Sequence, residues 1–381
     1  MLKRKAKIGI ISLEDPTDRN ISSGTNYKIV ETLRREGADI IWLHPYHSWL
    51  WIFLERALRN IYKLLSSKTF MFRHTCMGAF LESHSIKREK IEKCDIVFAS
   101  FSSPACYKLR LPKGMPLFYI SDALWHSMIG YYLKHIDNFS KHDGDKIESY
   151  VLNKASKIIA PSKWMRDSVI NDYHQPAEKI CSIQFGANID EKDIKYKKFE
   201  KRPTLDLLFI GVDWKRKGGK IAIEAAQWLN DNGVPTTLHI IGGRDIDNAS
   251  LATKNIDYIG MLDKNLPKDY KKQIEELRRD QVLIFPTQAE CTGIVTCEAC
   301  AFGLPVYGSD TGGVGSYITD GENGRLLPLG SKGKDYGMKI KQDLLSGKLE
   351  EMSALARKRY EEDLNWNTFG GKIASLINNY L

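Results

Sequence analysis

Short apolar runs alternate with longer amphipathic stretches along most of this chain, which is the pattern of parallel strands joined by helices. In the first half, the apolar runs predict strands at residues 7–13, 39–44, 95–100, 117–121 and 157–160. In the second half, strands are predicted within LDLLFIG, TTLHIIGG, IDYIG and VLIFP, with helices over residues 219–232 and 268–279. The pattern therefore predicts an α/β fold made of two similar nucleotide-binding-type halves.

The alternation lapses between the two halves, in the charged and helix-poor stretch around residues 185–205. We therefore predict an N-terminal domain over residues 1–186, a linker over 187–203 and a C-terminal domain over 204–365. Residues 366–381 have apolar positions on one side of a helix and are predicted to form an amphipathic helix that docks on another element.

Composition supports a globular protein, with 43% hydrophobic and 27% charged residues among 381. The opening apolar run is too short for a signal peptide, and no apolar stretch is long enough to span a bilayer. Seven scattered cysteines indicate a reducing compartment, so we expect a cytoplasmic location.

The net charge of +9 favours an anionic partner. Because no nucleic-acid module accompanies the charge, we do not expect nucleic-acid binding.

Residues 49–72 combine aromatic and aliphatic side chains with interspersed basic ones, Arg56, Arg59 and Lys63 among them. A core helix is the favoured interpretation. The alternative is an interfacial helix that makes peripheral contact with a membrane at the inner face of the cell membrane.

The stretch 282–328 carries the candidate chemistry. A buried strand ends at Pro286, a helix is predicted over 293–302, and Glu290 lies in the loop between them, where parallel sheets bind ligands. Glu298 follows eight positions later, so both carboxylates can face one bound molecule. Gly293 lets a phosphate approach the free N–H groups of the helix start. A carboxylate such as Glu298 can accept hydrogen bonds from two ribose hydroxyls.

Two other motifs suggest metal sites, and for both the structural alternative is favoured. Cys297 and Cys300, with Cys291 nearby, lack a second ligand pair at zinc spacing and are predicted to be buried small residues. Asp245 and Asp247 are predicted to form a turn after a strand. We therefore expect no required metal and no cofactor.

The residues from Glu290 to Glu298, followed by EACAFGLPVYGSDTGGVGSYITDGENGRLLP, are similar to the signature of the retaining GT-B glycosyltransferases of group 1, family four. The resemblance implies that Glu290 contacts hydroxyls of the transferred sugar and Glu298 the nucleotide ribose. It also implies that amides near Thr292, Gly293 and Ile294 contact the donor diphosphate.

A second element, FIGVDWKRKGGKIAIEAA, also resembles this family. Here the resemblance implies that Lys217 binds the donor diphosphate. The arginine usual in the family is replaced by Val212 and Asp213, so Lys215 or Arg216 is expected to substitute, and Arg216 is assigned to the donor site. Two glycines, Gly242 and Gly24, complete the implied donor-binding set.

In the N-terminal half the resemblance is looser. The family often carries a histidine after a later strand, where this chain reads YISDALWH, with Asp122 in the neighbourhood and His126 further on. Asp122 is taken as the acceptor-side candidate, beside Glu290 and Lys217 as catalytic residues. The implied fold is GT-B: two Rossmann-like domains facing across a cleft, with the C-terminal helix returning to the N-terminal domain.

The implied activity is transfer of a sugar from a nucleoside diphosphate sugar, UDP- or GDP-linked, to an acceptor hydroxyl with retention of anomeric configuration. The acceptor would be a sugar, glycolipid or other hydroxyl compound in glycan, cell-surface polysaccharide or glycolipid synthesis. The alternatives are a nucleotide-sugar epimerase on the same fold, or a non-catalytic protein that binds a nucleotide sugar or nucleic acid.

Overall fold

A computed structural model describes residues 1–381, and they form two compact units. The first domain consists of Met1–Ile21, Asn26–Ile183 and Gly370–Leu381. The second domain consists of Ser22–Thr25 and Gln184–Phe369. Each domain is built on one six-stranded sheet, so the predicted α/β fold with two Rossmann-like halves is confirmed.

The sheet of the first domain is entirely parallel, in the order β2-β1-β3-β4-β5-β6. Its strands are β1 (Ala6–Ile11), β2 (Ala38–Leu43), β3 (Ile96–Ser100), β4 (Leu117–Ile120), β5 (Lys157–Ala160) and β6 (Ile180–Ser182). The five predicted strands are confirmed with small shifts at their ends. The strand β6 was not predicted, because three residues at a sheet edge carry too little apolar pattern.

Helices connect these strands along the chain. They are α1 (Thr25–Arg35), α2 (Trp49–Leu65), α3 (Cys76–His84), α4 (Arg88–Ile91), α5 (Ser103–Cys106), α6 (Trp125–Met128), α7 (Asn138–Lys154) and α8 (Lys163–Asn171). Residues 49–72 were expected to contribute a core helix, but none of the residues of α2 is buried. A core position for this helix is therefore wrong.

The second sheet is also parallel, in the order β12-β11-β10-β7-β8-β9. Its strands are β7 (Leu205–Asp213), β8 (Thr236–Arg244), β9 (Ile256–Gly260), β10 (Val282–Phe285), β11 (Val306–Asp310) and β12 (Gly324–Pro328). Counted from its own first strand and read from β9, this is the doubly wound order 3-2-1-4-5-6. The order reverses between β7 and β10, and the crevice at such a point is where this fold binds ligands.

Helices of the second domain are α9 (Gly219–Asp231), α10 (Asn248–Leu251), α11 (Pro267–Arg279), α12 (Ile294–Phe302), α13 (Gly333–Leu345), α14 (Lys348–Glu362) and α15 (Trp366–Ile377). The last helix begins in the second domain, and its residues from Gly370 onward belong to the first. All nine residues of α12 are buried, so this helix lies inside the domain. None of the helices combines the length and apolarity that crossing a bilayer requires.

Candidate active site

The loops that follow β7 and β10 lie against each other at the point where the strand order reverses. The backbone N–H of Gln288 donates to the carbonyl of Arg216 at 2.7 Å. Gly218 adopts a φ of +75°, and a Cβ there would lie 2.1 Å from the carbonyl oxygen of Pro286. Only glycine allows this approach, which holds the basic loop after β7 beside the acidic loop after β10.

Two cations of the first loop converge on one carboxylate of the second. Lys217 Nζ contacts Glu290 Oε2, and Arg216 Nη1 lies 3.6 Å from the same oxygen. Arg216 also donates to the carbonyl of Ala289 at 2.8 Å, and Lys217 Nζ lies 5.0 Å from the centroid of the Phe285 ring. The Lys217 and Glu290 side chains are only 16% and 12% exposed, so water screens this pair weakly. The structure thus brings together three of the predicted site residues.

The helix α12 begins at Ile294, four residues after Glu290. Gly293 caps its start with a φ of +78°, and a Cβ there would lie 3.0 Å from the Phe285 ring. Thr292 and Ile294 are buried on either side of the cap. The first N–H groups of a helix have no partner within it and carry a partial positive charge, so this end suits an anionic ligand.

Glu298 lies further along α12 and is only 2% exposed. Lys264 Nζ donates to its Oε1 at 2.9 Å, and Gln273 Nε2 donates to its Oε2 at 3.2 Å. The two glutamates of the motif therefore have different partners: Glu290 pairs with the loop after β7, and Glu298 pairs with Lys264 of the loop after β9 and with Gln273 of α11.

The two predicted glycines have different surroundings. Gly242 pairs with Gly211 in the sheet and has a φ of +100°, and a Cβ there would lie 2.3 Å from the Gly211 carbonyl oxygen. Close packing of β8 on β7 accounts for that glycine. Gly24 is buried, with a φ of +91°, in the short segment that groups with the second domain. The carbonyl of the preceding Ser23 accepts from Asn188 at 3.0 Å and from Lys264 at 3.4 Å.

Asp122 belongs to the first domain, where it is half-buried in the loop after β4. A buried carboxyl, Glu148, supports this loop by accepting hydrogen bonds from Tyr119 Oη at 2.6 Å and from the backbone N–H of Trp125 at 3.4 Å. Burial raises the pKa of Glu148 to about 7. His126 is exposed, with Nδ1 3.6 Å from a carboxylate oxygen of Asp145.

Three contributors to these sites were missed by the sequence analysis: Lys264, Gln273 and Glu148. Lys264 follows the carboxyl end of β9, at the same edge of the sheet as the other two loops, and that position is a signal the sequence contains. Gln273 and Glu148 lie on the buried faces of α11 and α7. A polar residue at a core-facing helix position is the signal that would have found them, because buried polar groups need partners.

The cysteine pair and the Asp245–Asp247 motif occupy the structural positions that the sequence predicts for them. Cys297 and Cys300 are fully buried free thiols, and burial raises the pKa of Cys300 to about 11. Asp247 caps α10 by accepting from the backbone N–H of Ser250 at 2.8 Å, and Asp245 has a φ of +66° in the turn before it.

Two family models match this chain. Residues 188–359 match the glycosyl transferases group 1, and residues 67–191 match Glycosyltransferase Family 4. Together these matches make the chain similar to the group 1 glycosyltransferases over residues 67–359. Among curated relatives, glycogen synthase of Mycobacterium tuberculosis is 25% identical over 230 residues, which are 58% of this chain and 54% of that enzyme. The chain thus spans little more than half the length of that relative.

Solved structures match over nearly the whole chain. Sucrose-phosphate synthase from Thermosynechococcus elongatus aligns with a TM-score of 0.72 and 15% identity over 98% of both chains. Anabaena HepE, solved with UDP and glucose, aligns with a TM-score of 0.64 and 15% identity over 98% of this chain and 100% of its own. The fold of the chain is that of the GT-B glycosyltransferases.

Proposed function

We propose that this protein transfers a sugar from a nucleoside diphosphate sugar to an acceptor hydroxyl, with retention at the anomeric carbon. The observation that carries the proposal is the convergence of Lys217 and Arg216 on Glu290 beside the start of α12. Cations and a helix start suit a diphosphate, and the adjacent carboxylate suits sugar hydroxyls.

In the proposed reaction the bond between the anomeric carbon and the diphosphate oxygen breaks, and its electron pair stays on the phosphate. Lys217, Arg216 and the N–H groups around Gly293 stabilise that growing charge. The acceptor oxygen bonds to the anomeric carbon on the face that the phosphate leaves, and its proton passes to a phosphate oxygen. No protein nucleophile and no metal are required.

The donor is proposed to be UDP- or GDP-linked, and Glu298 is proposed to accept hydrogen bonds from its ribose hydroxyls. Gly24 is proposed to lie near the same donor, because Lys264 contacts both Glu298 and the carbonyl of Ser23. Support for a uridine donor comes from Anabaena HepE, which was solved with UDP and glucose. Asp122 is proposed to serve the acceptor. Glycogen synthase among the relatives favours polysaccharide or another glycan as the product.

A cytoplasmic location at the inner face of a membrane is also proposed. It is supported by seven cysteines that are all free in the fold, as expected in a reducing compartment. The proposed membrane contact is peripheral.

The decisive experiment is a thermal-shift panel of UDP-, GDP- and ADP-sugars, followed by incubation of the best donor with and without candidate acceptors. A true donor at about 100 times its Kd should stabilise the fold by about 2.7 kcal/mol, whereas the other nucleotides should not. Transfer with retention is read from the anomeric proton of the product by NMR. No stabilisation by any nucleotide sugar, or interconversion of the donor without an acceptor, would reject the proposal.

A further inference from the structure

The helix α2 of the first domain presents large apolar side chains to solvent. Trp49 is 78% exposed, Phe53 60% and Leu64 86%, and none of the 17 residues is buried. Solvated apolar groups of this size on one element mark a binding surface, because a monomeric protein rarely exposes them together.

The exposed and the packed side chains fall on different faces of the helix. Trp51 and Tyr62 turn inward, where Trp51 stacks on His47 at 3.8 Å and Tyr62 stacks on Phe70 at 4.3 Å. Seven large apolar residues of the helix are exposed, and at 3.6 residues per turn five of them fall within an arc of roughly 120°, with Ile52 and Leu65 outside it. These five residues, called the apolar strip below, are Trp49, Leu50, Phe53, Ile61 and Leu64.

Basic side chains flank the apolar strip. At the same helical spacing, Arg56, Arg59 and Lys63 occupy one edge of the strip, and all three are exposed. The single acid of the helix, Glu55, is only 23% exposed and pairs with Arg59 at 2.9 Å. An apolar strip with a cationic edge is the design of a helix that lies in the plane of a membrane interface.

The charge of this face decides between possible occupants. A second copy of the chain would bring the same three cations against each other on a protein whose net charge is already +9. A surface of anionic lipid places phosphate groups against the cations and acyl chains against the apolar strip. The adjacent helix α3 also exposes apolar side chains, with Met77 52% and Phe80 40% exposed.

We infer that α2 binds an anionic phospholipid bilayer, with its apolar strip inserted at the boundary between head groups and acyl chains and its basic edge on lipid phosphates. The inference deepens the proposed membrane location. It rests on the first domain alone and not on the donor chemistry, so lipid binding and sugar transfer can fail independently.

The test is cosedimentation of the full chain with vesicles of phosphatidylcholine alone and with about one third phosphatidylglycerol. We expect binding to the anionic vesicles that is at least about tenfold stronger than to the neutral ones, and that weakens as salt rises to about 0.5 M. Acyl chains brominated near the head group should quench tryptophan fluorescence, and Trp49→Phe should remove most of that quenching.

Two sets of variants distinguish specific binding through α2 from nonspecific hydrophobic binding and from the overall positive charge of the protein. Phe53→Ser with Leu64→Ser should reduce vesicle binding at least about tenfold, whereas Leu345→Ser, at a 66% exposed site of the second domain, should leave it unchanged. Reversing the charge of the basic edge should also reduce vesicle binding at least about tenfold. Reversing three positive charges in the second domain should leave vesicle binding unchanged. The edge reversal is Arg56→Glu, Arg59→Glu and Lys63→Glu, and its matched control is Lys332→Glu, Lys334→Glu and Lys358→Glu.

All these positions are exposed, so the variants should fold, and circular dichroism with the donor-induced thermal shift checks that they do. Equal loss of binding in the strip variants and their controls would overturn the inference, as would equal binding to neutral and anionic vesicles. Self-association that disappears in the Phe53→Ser, Leu64→Ser variant, without vesicle binding in the wild type, would also overturn it in favour of a second copy. A donor-induced shift without vesicle binding would reject the lipid surface alone.

Discussion

Replacing Lys217 with alanine is the most direct perturbation of the proposed donor site. The lysine ammonium contacts Glu290 and lies over the Phe285 ring, with only 16% of the side chain exposed. Arg216 stays 3.6 Å from the same carboxylate oxygen, so the variant keeps one cation beside Glu290. The fold should therefore survive, and the loss should fall on the charge that develops during transfer.

The size of the loss follows from the charge and the distance. A unit charge about 4 Å from the phosphate oxygen contributes about 4 kcal/mol at an effective dielectric of about 20, before desolvation. Arg216 can offset part of this, so we expect a loss of about 2 to 4 kcal/mol, which corresponds to a decrease in kcat of about 30-fold to about 1000-fold. Affinity for the nucleotide sugar should fall less, because the charge on the leaving oxygen grows only toward the transition state.

The measurement is the initial rate of sugar transfer with the donor that the thermal-shift panel identifies, together with calorimetric donor binding. Lys220→Ala, at an exposed position in the first turn of α9, removes the same charge three residues away and should leave kcat within about twofold. Lys217→Arg should restore part of the rate. A Lys217→Ala enzyme that is folded and keeps kcat within about threefold of wild type would refute the electrostatic role.

Three further predictions concern other parts of the structure. Glu298→Gln should raise the donor Kd by about 30-fold to about 150-fold, measured by calorimetry, because ribose hydroxyls lose a charged acceptor worth about 2 to 3 kcal/mol; an unchanged Kd would reject the ribose assignment. Gly218→Ala should lower the unfolding temperature clearly more than Gly233→Ala, because both positions have a φ near +75° to +80° but only the first places a Cβ against a carbonyl oxygen; equal shifts would contradict the close approach. Burial raises the pKa of Glu148 from 4.5 to about 7, so its stabilising contribution is complete below the unfolded pKa and is lost as pH rises through about 7. The stability of wild type relative to Glu148→Gln, followed by urea unfolding, should therefore decrease by about 3 kcal/mol between about pH 5 and about pH 8, and identical pH profiles would disprove this coupling.

Most strands of both sheets could be predicted because a strand buried on both faces is an apolar run, which stands out from its amphipathic neighbours. The strand β12 was not predicted, because only two of its five residues are buried and its apolar run is short. The helix α12 was predicted within one residue of its observed start for a related reason: Gly293 and Gly303 lie at its two ends, and both adopt positive φ. Local sequence pattern and backbone conformation agree at these places, so a single sequence is sufficient to predict these strands and this helix.

The parts that were not predicted depend on tertiary contacts. The short edge strand β6 has exposed or half-buried residues and lacks an apolar run. The outward position of α2 was missed because a run of aromatic and aliphatic residues looks the same whether it faces a core or a lipid surface. Likewise, Lys264 is an ordinary loop lysine in the sequence, and only the fold places its ammonium 2.9 Å from Glu298.

The proposed donor site must meet two requirements that oppose each other. Lys217 is the proposed ligand of the diphosphate, yet in the folded protein its ammonium contacts Glu290, the proposed ligand of the sugar. A bound diphosphate must therefore compete with Glu290 for the lysine, and a carboxylate that loses part of its cation becomes a better acceptor for sugar hydroxyls. Arg216 lowers the electrostatic cost of this exchange, because it stays near Glu290 while it donates a hydrogen bond to the carbonyl of Ala289. Since both loops are held together at Gly218 and Gln288, the exchange requires only side-chain movement, and the backbone of the site can stay in place.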